Sequence, residues 1–479
     1  MRPRPAARVA CAATAVLALG LGIVVGPFAG AAAAHAVLTS TTPTTDEVLE
    51  QAPDSVTLTF DEPVEVVAGA VRVIDPDGDR VDRGSVEDSD DGRRLVAAID
   101  ATRRGTYTVA WRVLSEDGHN LSGSFVFHVG TRTGAANIGD GDNAAVEVAG
   151  AVGRWMSFAG TLADGGTALV AGLAGATEPR LRAPCRVIAV GAGAAGAAGI
   201  GVVLLAQAAE ASGRGLGGAF GLTAELAGDT RTGVLTSARG LCLLAVAAVS
   251  GVRAAWRRIA WPTGAFVVAS IVLLALSGHA WTSEQRWLAV VTDASHVLAV
   301  AVWLGGVLAV VVTLGVAGDR SRLGRRFSTA ALVAAIAVAV SGTISAVVEL
   351  GSLEALTATG YGQLLLAKIV GFGALIWFGW TNRRQLVPLL ERASAPLLRS
   401  MRGEVVLAVA VLAVTAVLVD QPPGRDQLVE PFGTTVAVDD MTLQVSVEPA
   451  RVGTNDIHLY FFDDAGTGPE PVDAVEMTA

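Results

Sequence analysis

The sequence predicts a multi-pass membrane protein: an N-terminal all-β Greek-key barrel or sandwich ectodomain, an eight-helix transmembrane bundle and a short C-terminal β segment. Three observations predict it. Apolar residues make up 52% of the 479 residues and charged residues 17%, against about 45–50% and about 25% in soluble domains. The apolar residues concentrate in 146–420, in runs that reach the ~20 residues a bilayer crossing takes. The segments on either side alternate apolar and polar residues with the period of a strand. This composition excludes a disordered chain, a basic nucleic-acid-binding protein and a lone soluble enzyme domain.

Residues 1–34 read as a secretory signal. Arg2, Arg4 and Arg8 form a basic start, an apolar run follows from Val9 to Val25, and Ala31–Ala34 supply small residues for cleavage. Ala32 and Ala34 place the cut before His35, while Ala34 and Ala36 would place it before Val37. Cys11 lies at the start of the apolar run and not after it, so it is no lipoprotein cysteine. The other two cysteines, Cys185 and Cys242, lie in the apolar region, so the exported segments fold without disulfides.

Residues 35–130 form the β domain. Val56–Phe60, Val71–Ile74, Tyr107–Val113 and Phe125–Val129 alternate, and turn clusters such as Asp75-Pro76-Asp77-Gly78-Asp79 separate them. The same parity turns His128 outward, as a surface strand residue. Residues 131–145 are a polar, glycine-containing linker. The apolar runs that follow lie at about 148–172, 186–208, 234–254, 259–279, 287–316, 327–350, 361–382 and 404–420. Arg154 and Asp164 make the first the weakest. Trp261, Trp281, Trp287, Trp377 and Trp380 fall near run ends, where interfacial anchors sit. Residues 421–479 return to period two, as in Leu443–Val447 and Ile457–Phe462, in a segment too short for an independent sandwich, which implies either that it packs on something else or that it is incomplete as given.

Charge orients this arrangement. The net −10 divides sharply: 35–130 carry 18 acidic and 8 basic residues, 131–419 carry 15 and 22, and 420–479 carry 12 and 2. With the β domain exported, the inside loops hold 15 arginines. The outside loops hold four, Arg214, Arg231, Arg286 and Arg425. That is the positive-inside pattern. Both acidic segments then face outward, which places the protein in the plasma (inner) membrane with its N- and C-terminal domains extracytoplasmic.

Six histidines limit the candidate metal chemistry. As the first mature residue, His35 offers an α-amine and an imidazole to one metal, and the amine, with a pKa near 8, deprotonates readily when a metal competes. Asp117-Gly118-His119 adds a carboxylate and a second imidazole. Nitrogen and carboxylate donors in a tetragonal set suit Cu(II). In the apolar region, His279 ends the fourth run and His296 lies about ten residues into the fifth, about 15 Å deep at 1.5 Å per residue. Asp293, three residues before His296, shares its helix face and is placed to orient the imidazole. Ionisable groups at that depth usually line a pathway. Asp164, Glu349 and Lys368 read as charge partners that fix helix packing, and Met156 as a packing residue.

His35-Ala36-Val37-Leu38, Phe60-Asp61-Glu62-Pro63-Val64, Gly105–His119 and Gly123–Phe127 resemble the CopC family of periplasmic copper-binding proteins. The resemblance spans the β domain. It implies a Greek-key barrel with a Cu(II) site made of His35, Asp117 and His119. Some members carry a methionine-rich Cu(I) site, but residues 35–130 contain no methionine, and Cu(I) prefers such soft ligands. Ser277-Gly278-His279-Ala280, His296 with Trp303-Leu304-Gly305-Gly306, Arg326-Phe327-Ser328, Ser341-Gly342, Thr359–Lys368, Asn382-Arg383-Arg384 and Pro422-Pro423 resemble the CopD family over about 146–425. Fusions of the two families are associated with copper uptake. The C-terminal strands faintly resemble small FixH/YtkA-like domains.

Together these readings describe a copper-handling membrane protein, not an enzyme. The exported domain takes Cu(II), and the helices move copper inward by way of His279, His296 and Asp293, with Cu(I) possible there. The copper ion and the lipid bilayer are the implied partners, with an extracytoplasmic copper donor or reductant beyond them. No nucleic acid is implied, and no G-x-x-x-x-G-K-[ST] motif for ATP occurs. Three alternatives remain open: a b-type haem or copper redox protein ligated by the membrane histidines, an oxidative copper enzyme, and a copper sensor or scaffold anchored by the helices.

Overall fold

A computed structural model of the protein describes residues 38–60, 62–66, 70–89, 92–115, 120–133, 144–174, 178–212, 215–252, 256–282, 286–427, 432–438, 441–448 and 456–463. The chain forms two compact units, one of β structure and one of helices.

The β unit is built from nine strands: β1 (Leu38–Thr42), β2 (Val48–Leu49), β3 (Ser55–Phe60), β4 (Val64–Glu65), β5 (Val71–Ile74), β6 (Asp82–Ser89), β7 (Arg94–Ile99), β8 (Gly105–Ser115) and β9 (Asn120–Val129). One sheet has the order β1-β3-β7-β6, the other β2-β9-β8-β4 with β5 also on β8. Pairing is antiparallel except for β2 on β9. Alternation explains the packing. Val56, Leu58 and Phe60 of β3 and Leu95, Ala97 and Ile99 of β7 face Tyr107, Val109, Val113 and Phe127 of the second sheet, all nearly inaccessible. Tyr107 stacks on Phe127 at 5.1 Å, and Phe60 meets Trp111 edge-on at 5.4 Å, joining the sheets.

His128 departs from the surface role its parity predicts. It is 4% exposed. Its Nε2 bonds Asp46 Oδ1 at 2.8 Å and its Nδ1 bonds Thr106 Oγ1 at 2.9 Å. β2 adds alongside β9 in parallel and brings Asp46 and Glu47 over that face; the backbone N–H of His128 donates to the Glu47 carbonyl. Both ring nitrogens are used, so no lone pair is left for a metal.

Asp82 anchors the hairpin of β6 and β7. Its carboxylate accepts from Arg80 Nε and Nη2, each at 2.7 Å, from Val73 N at 3.0 Å and from Gly84 N at 3.1 Å. Burial pushes this carboxyl up, but the bonds from Arg80, Val73 and Gly84 outweigh it and hold it below the ordinary carboxylate range. A carboxyl lowered in the folded state adds stability that is complete above its unfolded pKa and fades as pH falls through its folded one. Asp82→Asn is therefore expected to cost about 1–3 kcal/mol at neutral pH and to flatten the acid limb of the unfolding curve. Thermal melts of the β unit between neutral and acidic pH measure both.

The helical unit contains α1 (Ala144–Ala174), α2 (Arg182–Ser212), α3 (Arg231–Gly251), α4 (Trp256–Leu276), α5 (Arg286–Thr313), α6 (Arg320–Leu350), α7 (Gly360–Thr381) and α8 (Ala395–Leu418). Short helices Phe220–Asp229, His279–Thr282, Ala355–Ala358 and Gly424–Gln427 lie between or after them. Among the described residues six stretches are long and apolar enough to cross a membrane: Pro179–Ser212, Arg231–Gly251, Arg286–Thr313, Arg320–Leu350, Gly360–Glu391 and Ala395–Leu418. The other two expected spans are helical but fall short by different routes. In α4 the apolar part is only Trp261–Leu276. α1 is long but carries Glu147, Arg154 and Asp164, and it packs against α2, α4, α5 and α8, so its many glycines, serines and threonines meet protein.

α5 is interrupted by a π turn, Ala301–Gly305, and a second π turn, Asn382–Leu386, follows α7. The first is where α1 comes closest. A Cβ on Gly166 would lie 1.9 Å from the carbonyl carbon of Gly305, and one on Gly305 would lie 1.8 Å from the Leu162 oxygen. Only glycine at both positions lets the two backbones touch. Trp261, Trp287, Trp377 and Trp380 project from the bundle surface, 84%, 64%, 70% and 55% exposed, as anchors in a lipid interface would.

The C-terminal strands β10 (Phe432–Val438), β11 (Met441–Glu448) and β12 (Asp456–Asp463) pair as an antiparallel meander.

Candidate metal sites

The N-terminal site rests on residues outside the described part of the chain: His35, Asp117 and His119. What the structure gives is the framework to which they attach. Leu38, the first residue of β1, pairs with Phe60 at the end of β3. β4 begins at Val64, which pairs with Ser115 at the end of β8, and Leu114 pairs with Asn120 at the start of β9. Phe60 and Trp111 bring the sheets together there. The start of β1 and the two strand ends that flank residues 116–119 thus gather at one end of the sandwich. Among the described residues no group of three or more His, Cys, Asp or Glu side chains is arranged to hold a metal.

In the helical unit His279 opens the helix His279–Thr282; its side chain lies outside the description. Beside that short helix, Arg231 sits 4.2 Å and Arg286 5.2 Å over the Trp281 ring, and Trp287 meets Trp281 edge-on. Arg231 also bonds the Leu276 carbonyl, which ties α3 to the end of α4.

His296 is fully described, and its partner differs from the expected Asp293. Its Nδ1 lies 2.9 Å from Ser341 Oγ on α6. Ser341 Oγ also lies 2.7 Å from the Ala337 carbonyl one turn back. A serine has one hydrogen to give. With that hydrogen on Ala337, the hydroxyl oxygen accepts from His296, so the ring proton sits on Nδ1, and Nε2, without a hydrogen-bond partner among the described residues, keeps its lone pair for a ligand. Gly342 completes the pocket: a Cβ there would come within 3.2 Å of His296 Cε1. Asp293 instead lies within electrostatic reach of Lys368 of α7, and Lys368 within reach of His296, so the neutral imidazole sits beside two groups of opposite charge. Asp164 departs from its expected role as a charge partner. It is completely buried, and neither carboxylate oxygen has a hydrogen-bond partner.

A second polar centre has no counterpart among the expected site residues. Glu404 of α8 is 2% exposed and accepts from Trp303 Nε1 at 3.2 Å and from Asn382 Nδ2 at 2.9 Å. Trp303 and Asn382 each lie in one of the π turns. The signal was present, since both belong to the quoted Trp303–Gly306 and Asn382–Arg384 motifs. Glu404, in a run that reads as plain span, gave none.

Residues 38–130 match the family model of the CopC domain, and residues 321–418 match that of copper resistance protein D. The chain is 26% identical over 463 residues to "Copper transport protein CutJ" of Bacillus subtilis, a match covering 93% of this chain and 85% of that one. It is 33% identical over 98 residues to "Protein YobA" of Escherichia coli K12, covering 20% of this chain and 79% of that one. The crystal structure of CopC from Methylosinus trichosporium OB3b aligns at 27% identity, covering 22% of this chain and all of that one, with a TM-score of 0.18.

Proposed function

The chain belongs to the CopC–CopD family of copper resistance and copper transport proteins, and on that premise we propose that it captures Cu(II) outside the cell and passes copper inward across the membrane. The β unit is the capturing part. His35 provides its α-amine and imidazole, Asp117 a carboxylate and His119 a second imidazole. The observation that carries this reading is the gathering of Leu38, Phe60, Val64, Ser115 and Asn120 at one end of the sandwich. Three residues reach about 10 Å when extended, and stacked sheets stand about 10 Å apart. This spacing supports a site shared by the residues ahead of Leu38 and those between Ser115 and Asn120. The absence of methionine from 35–130 favours Cu(II) over Cu(I) there.

All eight helices α1–α8 cross the membrane in this reading, with both termini outside and the arginine-rich connections inside. Residues 1–34 are removed on export. Copper then meets His279 before His296, whose bare Nε2 faces it, while Asp293 offsets the Lys368 charge. An external donor or reductant supplies copper in the state that the helices accept, Cu(I) included. The protein acts as a carrier, without a catalytic step.

N-terminal sequencing of the mature protein, followed by Cu(II) paramagnetic resonance, tests the capture site. The expected first residue is His35, with a nitrogen-rich tetragonal Cu(II) signal. A mature chain that starts at Val37 removes the main chelate and sinks the site. Asp117→Ala and His119→Ala are each expected to weaken Cu(II) binding in a competition titration while the domain keeps its melting temperature.

A further inference from the structure

Glu404 is a buried carboxyl with no counter-cation among the described residues. The basic groups nearby are committed elsewhere. Arg383 bonds the Ser328 carbonyl and hydroxyl, both at 3.0 Å, and Arg384 lies over Trp380 at 4.5 Å. Arg402 is exposed. Lys368 of α7 belongs to the Asp293–His296 group. Arg154 of α1 is at the other end of α8, on Asp420 and the Ala416 carbonyl. From α1 the remaining ionisable groups are Glu147, which is exposed, and Asp164, which has no hydrogen-bond partner among the described residues. From α5 they are Arg286, exposed and over Trp281, and Asp293 and His296, seven or more residues before Trp303. A carboxylate sealed from water without a cation is strongly disfavoured, so such a group takes up a proton.

The partners of Glu404 suit both of its states. Trp303 can only donate, whereas the Asn382 amide can donate or accept. With Glu404 ionised, the indole and the amide N–H groups hold its two oxygens, as observed. With Glu404 protonated, its O–H needs an acceptor, and Asn382 Oδ1 is buried with no partner. A half-turn of that amide supplies it. Both partners sit in π turns, which recur at functional positions in helices, and Trp303 lies two turns beyond His296 on the same helix, about 10 Å along it.

We propose that Glu404 is a proton-carrying residue of the helical unit and that it exchanges its proton as copper moves past His296, so that copper movement is coupled to proton movement. This rests on the reading of the unit as a copper carrier. In the step, the Glu404 O–H bond breaks and the proton passes to water at the side of Arg383 and Arg384. The negative charge stays on the carboxylate, held by Trp303 and Asn382; nothing is oxidised or reduced.

The test uses the full chain in liposomes. Infrared spectroscopy follows the carbonyl stretch of protonated carboxyls across a pH titration, and a trapped pH-sensitive dye follows the lumen while copper, supplied with ascorbate, is taken up. The expected result is two carboxyl bands: one fades with rising pH, is missing in Glu404→Gln and survives in Asp164→Asn, and the other is lost in Asp164→Asn. Trp303→Phe removes a donor to the charged form of Glu404, so the first band should persist to higher pH. Glu404→Gln should still pass copper down its gradient, without the lumenal pH change and without wild-type pH dependence. A band pattern unchanged in Glu404→Gln, or uptake in that variant with wild-type pH dependence, overturns the proposal. If wild-type liposomes take up no copper, the carrier reading fails and the coupling with it, while the infrared band still decides whether Glu404 holds a proton.

Discussion

Acetylation of the His35 α-amine is expected to lower the Cu(II) affinity of the β unit by more than the ~10–100-fold typical of losing a group that merely supports a metal ligand. Acetylation turns the α-amine into an amide without adding a new amine, its lone pair is delocalised into the carbonyl, and the amine–imidazole chelate is broken. The imidazole, Asp117 and His119 remain, so weaker binding through three separate donors persists. Each tenfold loss corresponds to about 1.4 kcal/mol. The measurement is a competition titration against a Cu(II) chelator, comparing a chain that starts at His35 with a free amine and the same chain N-acetylated. Because the addition leaves β1 and its pairing with Phe60 untouched, melting temperatures should agree. Equal affinities would show that the terminal amine takes no part and would leave the site to the Asp117–His119 connection.

The β unit was legible because period-two alternation is a strong signal where one face is buried. Val56, Leu58 and Phe60 read as a strand edge of a core and are one. Pairing partners were less legible. The parallel addition of β2 to β9 joins residues 80 apart in sequence, and it buries a histidine whose parity turned it outward. Strand parity fixes the face of a residue, not what the rest of the chain lays over that face. In the helical unit, hydropathy found the helices and marked as the weakest α1, whose polar residues pack against other helices. The partner of His296 was misplaced for a related reason. Asp293 is three residues away on the same helix, and local spacing favours it, whereas Ser341 reaches the ring from another helix. The link from Trp303 to Glu404 spans 101 residues. No local pattern announces such a contact, although its two motif ends, Trp303 and Asn382, were visible.

Replacing His296 by alanine is expected to abolish copper uptake into copper-depleted cells or liposomes, and replacing Ser341 by alanine to reduce apparent copper affinity about 10–100-fold, the usual cost of losing a group that orients a metal-binding histidine. The two effects differ in kind. His296→Ala removes the donor nitrogen itself. Ser341→Ala keeps the imidazole but removes the oxygen that holds the proton on Nδ1, so the ring samples the tautomer in which Nε2 carries the proton and cannot bind. Ser341→Thr retains a hydroxyl able to bond both Ala337 and the ring, and should restore part of the loss if its methyl group is tolerated beside Gly342. Uptake should therefore fall from wild type through Thr to Ala at position 341 and vanish at His296→Ala. Asp293→Asn leaves Lys368 uncompensated beside the imidazole and should also weaken uptake, by repulsion of the cation and with the tautomer intact. Lys368→Met in the same chain should rescue Asp293→Asn but not Ser341→Ala. If His279→Ala and His296→Ala together leave intracellular copper unchanged, the helices serve only to anchor the copper-binding unit, and the carrier reading falls.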